Sequence, residues 1–264
     1  MKKICIYGKG GIGKSTAVAN LAAAMAETGK RVAVVGCDPK ADSTRNLTGR
    51  RIPTVLECMQ TGGRDIAVSG FRGIRCMEAG GPEPGTGCAG RGIAVALDQI
   101  RQKNLLEDTD AVIFDVLGDV VCGGFSMPLR ESIAEEVYLV TTSDYMSLYA
   151  ANNICRGIRR YAKSGVIRLS GFLYNGRSGL DNRRLAEEFA RKLGSEVIGG
   201  FAMSEWIAKA EMERKTVIER YPDSEISESF RRLAGVILNT VGGCIPMPMS
   251  DEEVEVVCMQ SLLQ

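Results

Sequence analysis

The residues from 8 to 15, Gly8-Lys9-Gly10-Gly11-Ile12-Gly13-Lys14-Ser15, carry the glycine-rich pattern with a Gly-Lys-Ser ending that cradles phosphates. Glycine lets the chain curl so that successive N–H groups face phosphate oxygens, and the positive end of the helix that follows adds to the attraction. In that arrangement Lys14 reaches the β- and γ-phosphates and Ser15 offers its hydroxyl to magnesium, while Thr16 lies beside the nucleotide one place too late to be the metal ligand. The same chain sets two cysteines in glycine: Cys88 in Gly85-Thr86-Gly87-Cys88-Ala89-Gly90-Arg91-Gly92 and Cys122 in Gly118-Asp119-Val120-Val121-Cys122-Gly123-Gly124-Phe125. Together these features point to nucleotide hydrolysis coupled to thiolate chemistry.

Carboxylates complete the candidate set. Ala111-Val112-Ile113-Phe114-Asp115 is an apolar run ending in an acid, as expected of a group that holds magnesium or its waters. Asp38-Pro39-Lys40-Ala41-Asp42-Ser43 puts two carboxylates and a lysine where strand ends meet a ligand crevice. Asp38 and Asp42 are placed to orient the attacking water or sense the γ-phosphate; the plainer reading is an Asp-Pro turn with Asp42 capping a helix.

With 33 basic and 32 acidic side chains the net charge is +1, which gives no electrostatic case for a nucleic-acid or membrane partner. No histidine is present, so acid and base work falls to Asp or Glu, and the commonest zinc ligand is missing. Nine cysteines, an odd number with no Cys-x-x-Cys pair, suit reduced thiols or metal ligands in a cytoplasmic chain. A cubane iron–sulfur cluster takes four thiolates, so two ligands per chain, Cys88 and Cys122, suit a cluster shared across a twofold axis. The other cysteines, Cys5, Cys37, Cys58, Cys76, Cys155, Cys244 and Cys258, lack that glycine setting and read as structural thiols.

Positioning these groups requires an α/β domain. Apolar runs at 3–7, 31–37, 111–116, 136–142, 168–174 and 196–201 read as strands, and helical spacing of apolar residues covers 15–27, 93–101, 149–163, 183–193 and 227–240. The alternation predicts a mostly parallel sheet flanked by helices, in one domain over 1–264. Between 80 and 92 lie six glycines and two prolines, which predicts a shaped loop holding no regular helix or strand.

The phosphate loop, Gly36-Cys37-Asp38-Pro39-Lys40-Ala41-Asp42-Ser43-Thr44, the stretch from Glu78-Ala79-Gly80-Gly81-Pro82-Glu83-Pro84-Gly85 to Gly92, and Asp115-Val116-Leu117-Gly118-Asp119-Val120-Val121-Cys122-Gly123-Gly124-Phe125 together resemble the nitrogenase iron protein family. The resemblance implies a deviant phosphate-loop NTPase fold and a homodimer holding one 4Fe-4S cluster between Cys88 and Cys122 of both chains. MgATP hydrolysis then commits a low-potential electron from a donor such as ferredoxin or flavodoxin to a larger catalytic protein. By the same resemblance Lys9 crosses to the partner's nucleotide, against the plainer reading of a solvated lysine. The residues from Asp38 to Ser43 look like a first switch, with Lys40 and Asp42 at the nucleotide, and those from Asp115 to Cys122 like a second. Asp119 assists water attack, Arg91 is similar to an arginine on the docking face, and Asn175 and Arg177 match the family's adenine region.

Ala202-Met203-Ser204 replaces the Pro-Arg-Asp stretch typical of dinitrogen-reducing members. The stretches from Arg50 to Leu56, from Thr142 to Cys155 and from Tyr174 to Gly179 look more like the reductase component of the nickel-sirohydrochlorin a,c-diamide reductive cyclase of methanogens, which serves tetrapyrrole biosynthesis. The competing readings are a nitrogenase iron protein or another nitrogenase-like component, a cluster carrier, and a positioning or partition ATPase, which would need neither Cys88 nor Cys122.

Overall fold

The computed structural model describes residues 1–63, 65–81, 89–118, 135–162, 166–177 and 181–260. Strands β1 (Lys2–Tyr7), β2 (Val32–Cys37), β3 (Val68–Ser69), β4 (Arg75–Glu78), β5 (Ala111–Val116), β6 (Glu136–Thr141), β7 (Arg168–Gly176) and β8 (Val197–Ala202) form one sheet in the order β3-β4-β2-β5-β1-β6-β7-β8. Every pairing is parallel except β3 with β4. The seven parallel strands therefore end on one edge, where the residues after β1 and β2 lie.

Successive residues of a strand face opposite sides, and both sides here are covered. Along β1, Cys5 and Tyr7 enter one core while Ile4 and Ile6 enter the other. The first core is closed by α3 (Val55–Thr61), α4 (Ala89–Gln102), α5 (Tyr145–Ala162), α6 (Arg183–Lys192) and α10 (Asp251–Gln260), through residues such as Ile93, Ile154, Phe189 and Val254. On the other side lie α1 (Lys14–Glu27), α2 (Arg45–Thr48), α7 (Glu205–Met212), α8 (Val217–Arg220) and α9 (Glu225–Asn239), contributing Leu21, Leu47, Ile207, Val217 and Phe230. The alanines of α1 are buried along its length, so this helix seats flush on the sheet and fixes the phosphate loop ahead of it.

Six strands and five longer helices match the sequence expectation within a few residues at each end. The glycine-rich stretch does not remain a loop to Gly92: α4 begins at Ala89 and includes Gly90, Arg91 and Gly92. Glycine costs a helix about 1 kcal/mol per residue against alanine, and the buried stripe Ile93, Ala96, Leu97 and Ile100 offsets that cost by anchoring the turns that follow. The acidic segment from Asp251 also forms a helix, with Val254 and Val257 in the core. Among the described residues no helix is long and apolar enough to cross a membrane.

Candidate functional site

The phosphate loop joins β1 to α1. Gly13 caps α1 in the left-handed region at φ 88, and a Cβ there would lie 2.7 Å from Asn175 Nδ2, so only glycine serves. Gly11 also has positive φ, 73, and nothing lies within 4 Å of where its Cβ would be, which leaves the loop open. From the end of β7, Asn175 Nδ2 donates to the carbonyl of Ile12 at 2.7 Å and Arg177 Nη2 donates to that of Gly11 at 2.7 Å. Both residues expected in the adenine region thus brace the phosphate loop. Thr16 Oγ1 donates to Glu211 Oε1 on α7 at 2.6 Å, a tie that the sequence reading did not include.

Beneath the loop, Lys14 Nζ donates to Asp115 Oδ1 at 2.6 Å, with Lys14 8% and Asp115 0% exposed. Asp115 comes from β5, where it pairs in register with Ile6 of β1 on one side and Gly36 of β2 on the other. A buried ion pair gains its attraction only against a large desolvation cost, so each partner depends on the other. A phosphate bound in the loop would compete with this carboxylate for the same ammonium.

Gly36 also stands in register with Glu78 of β4, placing Glu78 and Asp115 on one face with no side chain between them. Glu78 Oε1 accepts from the Thr44 backbone N–H at 2.7 Å and from Thr44 Oγ1 at 2.6 Å. Burial pushes the Glu78 carboxyl up to about 7; the Thr44 hydrogen bonds oppose that rise, and Asp115 and Asp42 add to it. Glu78 belongs to a stretch that carried the resemblance, yet its residue type alone gave it no role.

The segment after β2 turns on itself. Asp38 Oδ1 accepts from the Lys40 backbone N–H at 2.9 Å, and the Ala41 N–H donates to the Asp38 carbonyl at 3.0 Å. That is the Asp-Pro turn of the plainer reading, whereas Asp42 does not cap the next helix, whose N-cap is Thr44. Asp42 and Lys40 are exposed and Asp38 is half-buried, with burial raising its carboxyl. Lys9 Nζ lies 3.9 Å from Asp144 Oδ1 at the start of α5, both half-exposed. Burial pushes Asp144 up, but hydrogen bonds from Ser147 and Thr142, with Lys9 nearby, hold its carboxyl below the usual range.

Nucleotide chemistry fits these residues. Ser43 Oγ, Glu78 Oε2, Asp115 Oδ2 and Asn175 Oδ1 are buried without a partner among the described residues. Such groups are costly unless a ligand or water satisfies them, and hydrated magnesium or a nucleotide amino group supplies the donors that the acceptors lack. Gly8, Gly10, Ile12 and Ser15 complete the loop, with Ser15 half-buried in the first turn of α1.

Cys88, Cys122 and Asp119 lie outside the described residues; Arg91 is exposed in the first turn of α4. The other seven cysteines are free thiols and five of them are buried. Among the described residues no group of three or more His, Cys, Asp or Glu could hold a metal. The two glycine-set thiols that the sequence singled out as cluster ligands are not among those residues. Their approaches touch the nucleotide crevice: a Cβ on Gly118 would lie 1.9 Å from the carbonyl oxygen of Gly8, and one on Gly81 would lie 2.6 Å from Pro39 Cβ.

The model of the 4Fe-4S iron–sulfur cluster binding proteins of the NifH/frxC family matches residues 2–264. Over 260 residues the chain is 52% identical to the nitrogenase iron protein of Methanococcus voltae, covering 96% of this chain and 94% of that protein. It is 50% identical to nitrogenase iron protein 2 of Methanothermococcus thermolithotrophicus, covering 96% of this chain and 94% of that protein. Among solved structures it is similar to the septum site-determining protein MinD complexed with Mg-ADP from Pyrococcus horikoshii OT3, with a TM-score of 0.69, 20% identity, and coverage of 90% and 96%. At that identity the likeness concerns the fold alone.

Proposed function

The chain belongs to the NifH/frxC family of 4Fe-4S iron–sulfur cluster binding proteins, whose members are ATP-hydrolysing reductase components, and from that premise we propose how its own residues do this work. Bound between two copies of the chain, the cluster supplies a one-electron carrier of low potential. Cys88 and Cys122 hold it from each copy. Lys14 and the N–H groups from Gly8 to Thr16 bind the phosphates, Ser15 and Asp115 hold magnesium and its waters, and Lys9 reaches the partner copy's nucleotide. Asp38 and Asp119 orient the attacking water, while Lys40 and Asp42 face the nucleotide from the first switch. Asn175 and Arg177 hold the phosphate loop beside the base, and Arg91 faces the catalytic protein.

The observation that carries this reading is the buried Lys14–Asp115 pair at the head of the segment that leads to Cys122. Phosphate that draws Lys14 away leaves Asp115 to the metal, and the following residues, with Gly118 against Gly8, feel the change within a short run of chain. Anaerobic electron paramagnetic resonance of the dithionite-reduced protein, with iron quantified, tests it. About four irons per dimer and a signal that changes on adding MgATP are expected. Cys88→Ser and Cys122→Ser each abolish the iron yet leave a folded nucleotide-binding protein. No iron after reconstitution of the wild type overturns the reading.

For the acceptor we propose the tetrapyrrole-reducing catalytic component, with a ferredoxin or flavodoxin as donor. Ala202-Met203-Ser204 in place of Pro-Arg-Asp supports it, as do the stretches from Arg50 to Leu56 and from Tyr174 to Gly179. The names of the relatives that are about half identical favour a second reading, a nitrogenase iron protein. MgATP-dependent reduction of nickel-sirohydrochlorin a,c-diamide with the first partner, and none of dinitrogen with the second, separates the two; the reverse pattern selects nitrogenase.

A further inference from the structure

Glu78 is 0% exposed at the end of β4; its Oε2 is one of the buried acceptors of the crevice, while its Oε1 is bound within the protein. Its carboxylate fills the space left by Gly36, because a Cβ there would lie 1.9 Å from Glu78 Oε2 and 2.8 Å from Ser43 Cβ. Both donors it receives come from one residue, Thr44, at the far end of the segment that begins with Asp38. The near end of that segment is held as well, since Pro39 packs on Gly81, three residues beyond Glu78. Thr54 packs on Gly80 from the other side, so the exit of β4 is clamped before the chain runs on to Cys88, ten residues beyond Glu78. A buried carboxylate is expensive without donors, and here the donors belong to the segment expected to move with the γ-phosphate. Asp115 and Asp42 act on it with like charge and Arg51 with opposite charge, but the hydrogen bonds that hold its Oε1 come from Thr44.

We infer that Glu78 is a positioning residue that joins the first switch to the strand that precedes Cys88 in the chain, so that movement of the residues from Asp38 to Thr44 reaches Cys88 by a route separate from the one joining Asp115 to Cys122. This rests on reading Cys88 as a cluster ligand and the Asp38 segment as a nucleotide sensor. A purely structural acid would stabilise the fold and leave the response to MgATP unchanged.

The test uses the full chain as wild type, Glu78→Gln and Glu78→Ala, with iron measured in every sample. Two responses to MgATP are read, the rate of iron removal by a chelator and the amide hydrogen exchange of residues 79–92. Glu78→Gln keeps an acceptor for Thr44 and should respond within about twofold of wild type, while Glu78→Ala should still bind MgATP but lose about tenfold of the acceleration, the scale of one charge-assisted hydrogen bond. In Glu78→Ala the MgATP-induced change in exchange over 79–92 should disappear. A wild-type response in Glu78→Ala overturns the inference. Should Glu78→Ala fail to fold, Thr44→Val removes the hydroxyl donor from the opposite side, and an unchanged response there overturns it equally. If the wild type holds no iron, the cluster reading fails instead, and the exchange data still decide whether Glu78 couples the two segments.

Discussion

Glu78 and Asp115 stand on the same face of the sheet, separated only by Gly36, and they are satisfied in opposite ways. Asp115 is neutralised by a cation, Lys14, the residue proposed to bind the phosphates. Glu78 is held by dipoles, the N–H and hydroxyl of Thr44, and keeps a raised affinity for protons. The difference teaches that neighbouring carboxylates can be released by separate means, Asp115 by exchange of its counter-charge and Glu78 by displacement of a hydrogen-bonded segment.

The largest effect is expected where the counter-charge is removed. Asp115→Ala leaves Lys14 buried and unpaired and should cost about 3–5 kcal/mol in urea unfolding, with part recovered on adding MgATP. A loss under about 1 kcal/mol would mean that the pair is well hydrated. At Glu78 the effect is a slope against pH. The folded carboxyl titrates at about 7 against an ordinary 4.5, so the folded state binds the extra proton and stability falls as pH rises through that window. The wild type should lose roughly 3 kcal/mol between the two values, and Glu78→Gln should flatten the fall; parallel curves would mean that the proton is held elsewhere.

Gly118→Ala drives a methyl group against the backbone of Gly8, which cannot swing aside, and should cost about 1–3 kcal/mol together with weakened MgATP binding. Unchanged affinity would show that the second switch does not bear on the phosphate loop. The smallest effect is expected at the rim. Lys9→Ala breaks a half-exposed contact with Asp144 at 3.9 Å and should change monomer stability by only ~0.2–1 kcal/mol, so a larger fall in MgATP affinity of the dimer would locate its role across the interface.

Much of this arrangement was legible in the chain itself. Six strands announced themselves through apolar runs, and Lys14 and Asp115 through the pattern around each. β3 and β4 did not, because Val68–Ser69 is too short for any pattern and Arg75–Glu78 begins and ends in charge. Short helices passed unread although Thr54 with Glu57 forms a capping box and Thr216 caps the helix before Glu219, signals that local hydrogen bonding makes visible in sequence. Glu78 was hidden for a different reason. Its significance depends on the register that sets it opposite Gly36, and strand order is a property of the assembled sheet. The same holds for Asn175 and Arg177, whose contacts with the phosphate loop arise because β7 ends beside it.

Burial raises the pKa of every cysteine among the described residues: Cys5, Cys37, Cys58, Cys76, Cys155, Cys244 and Cys258. Thiols held in the protonated form are poor nucleophiles and poor ligands. Cys5, Cys37, Cys58, Cys76 and Cys155 are buried as well, which keeps dissolved metal and oxidant away from them, whereas Cys244 and Cys258 are half-buried. The packing that covers both sides of the sheet, and on one of them seats α1 and so fixes the phosphate loop, thus also withdraws five of the seven described thiols from competing chemistry.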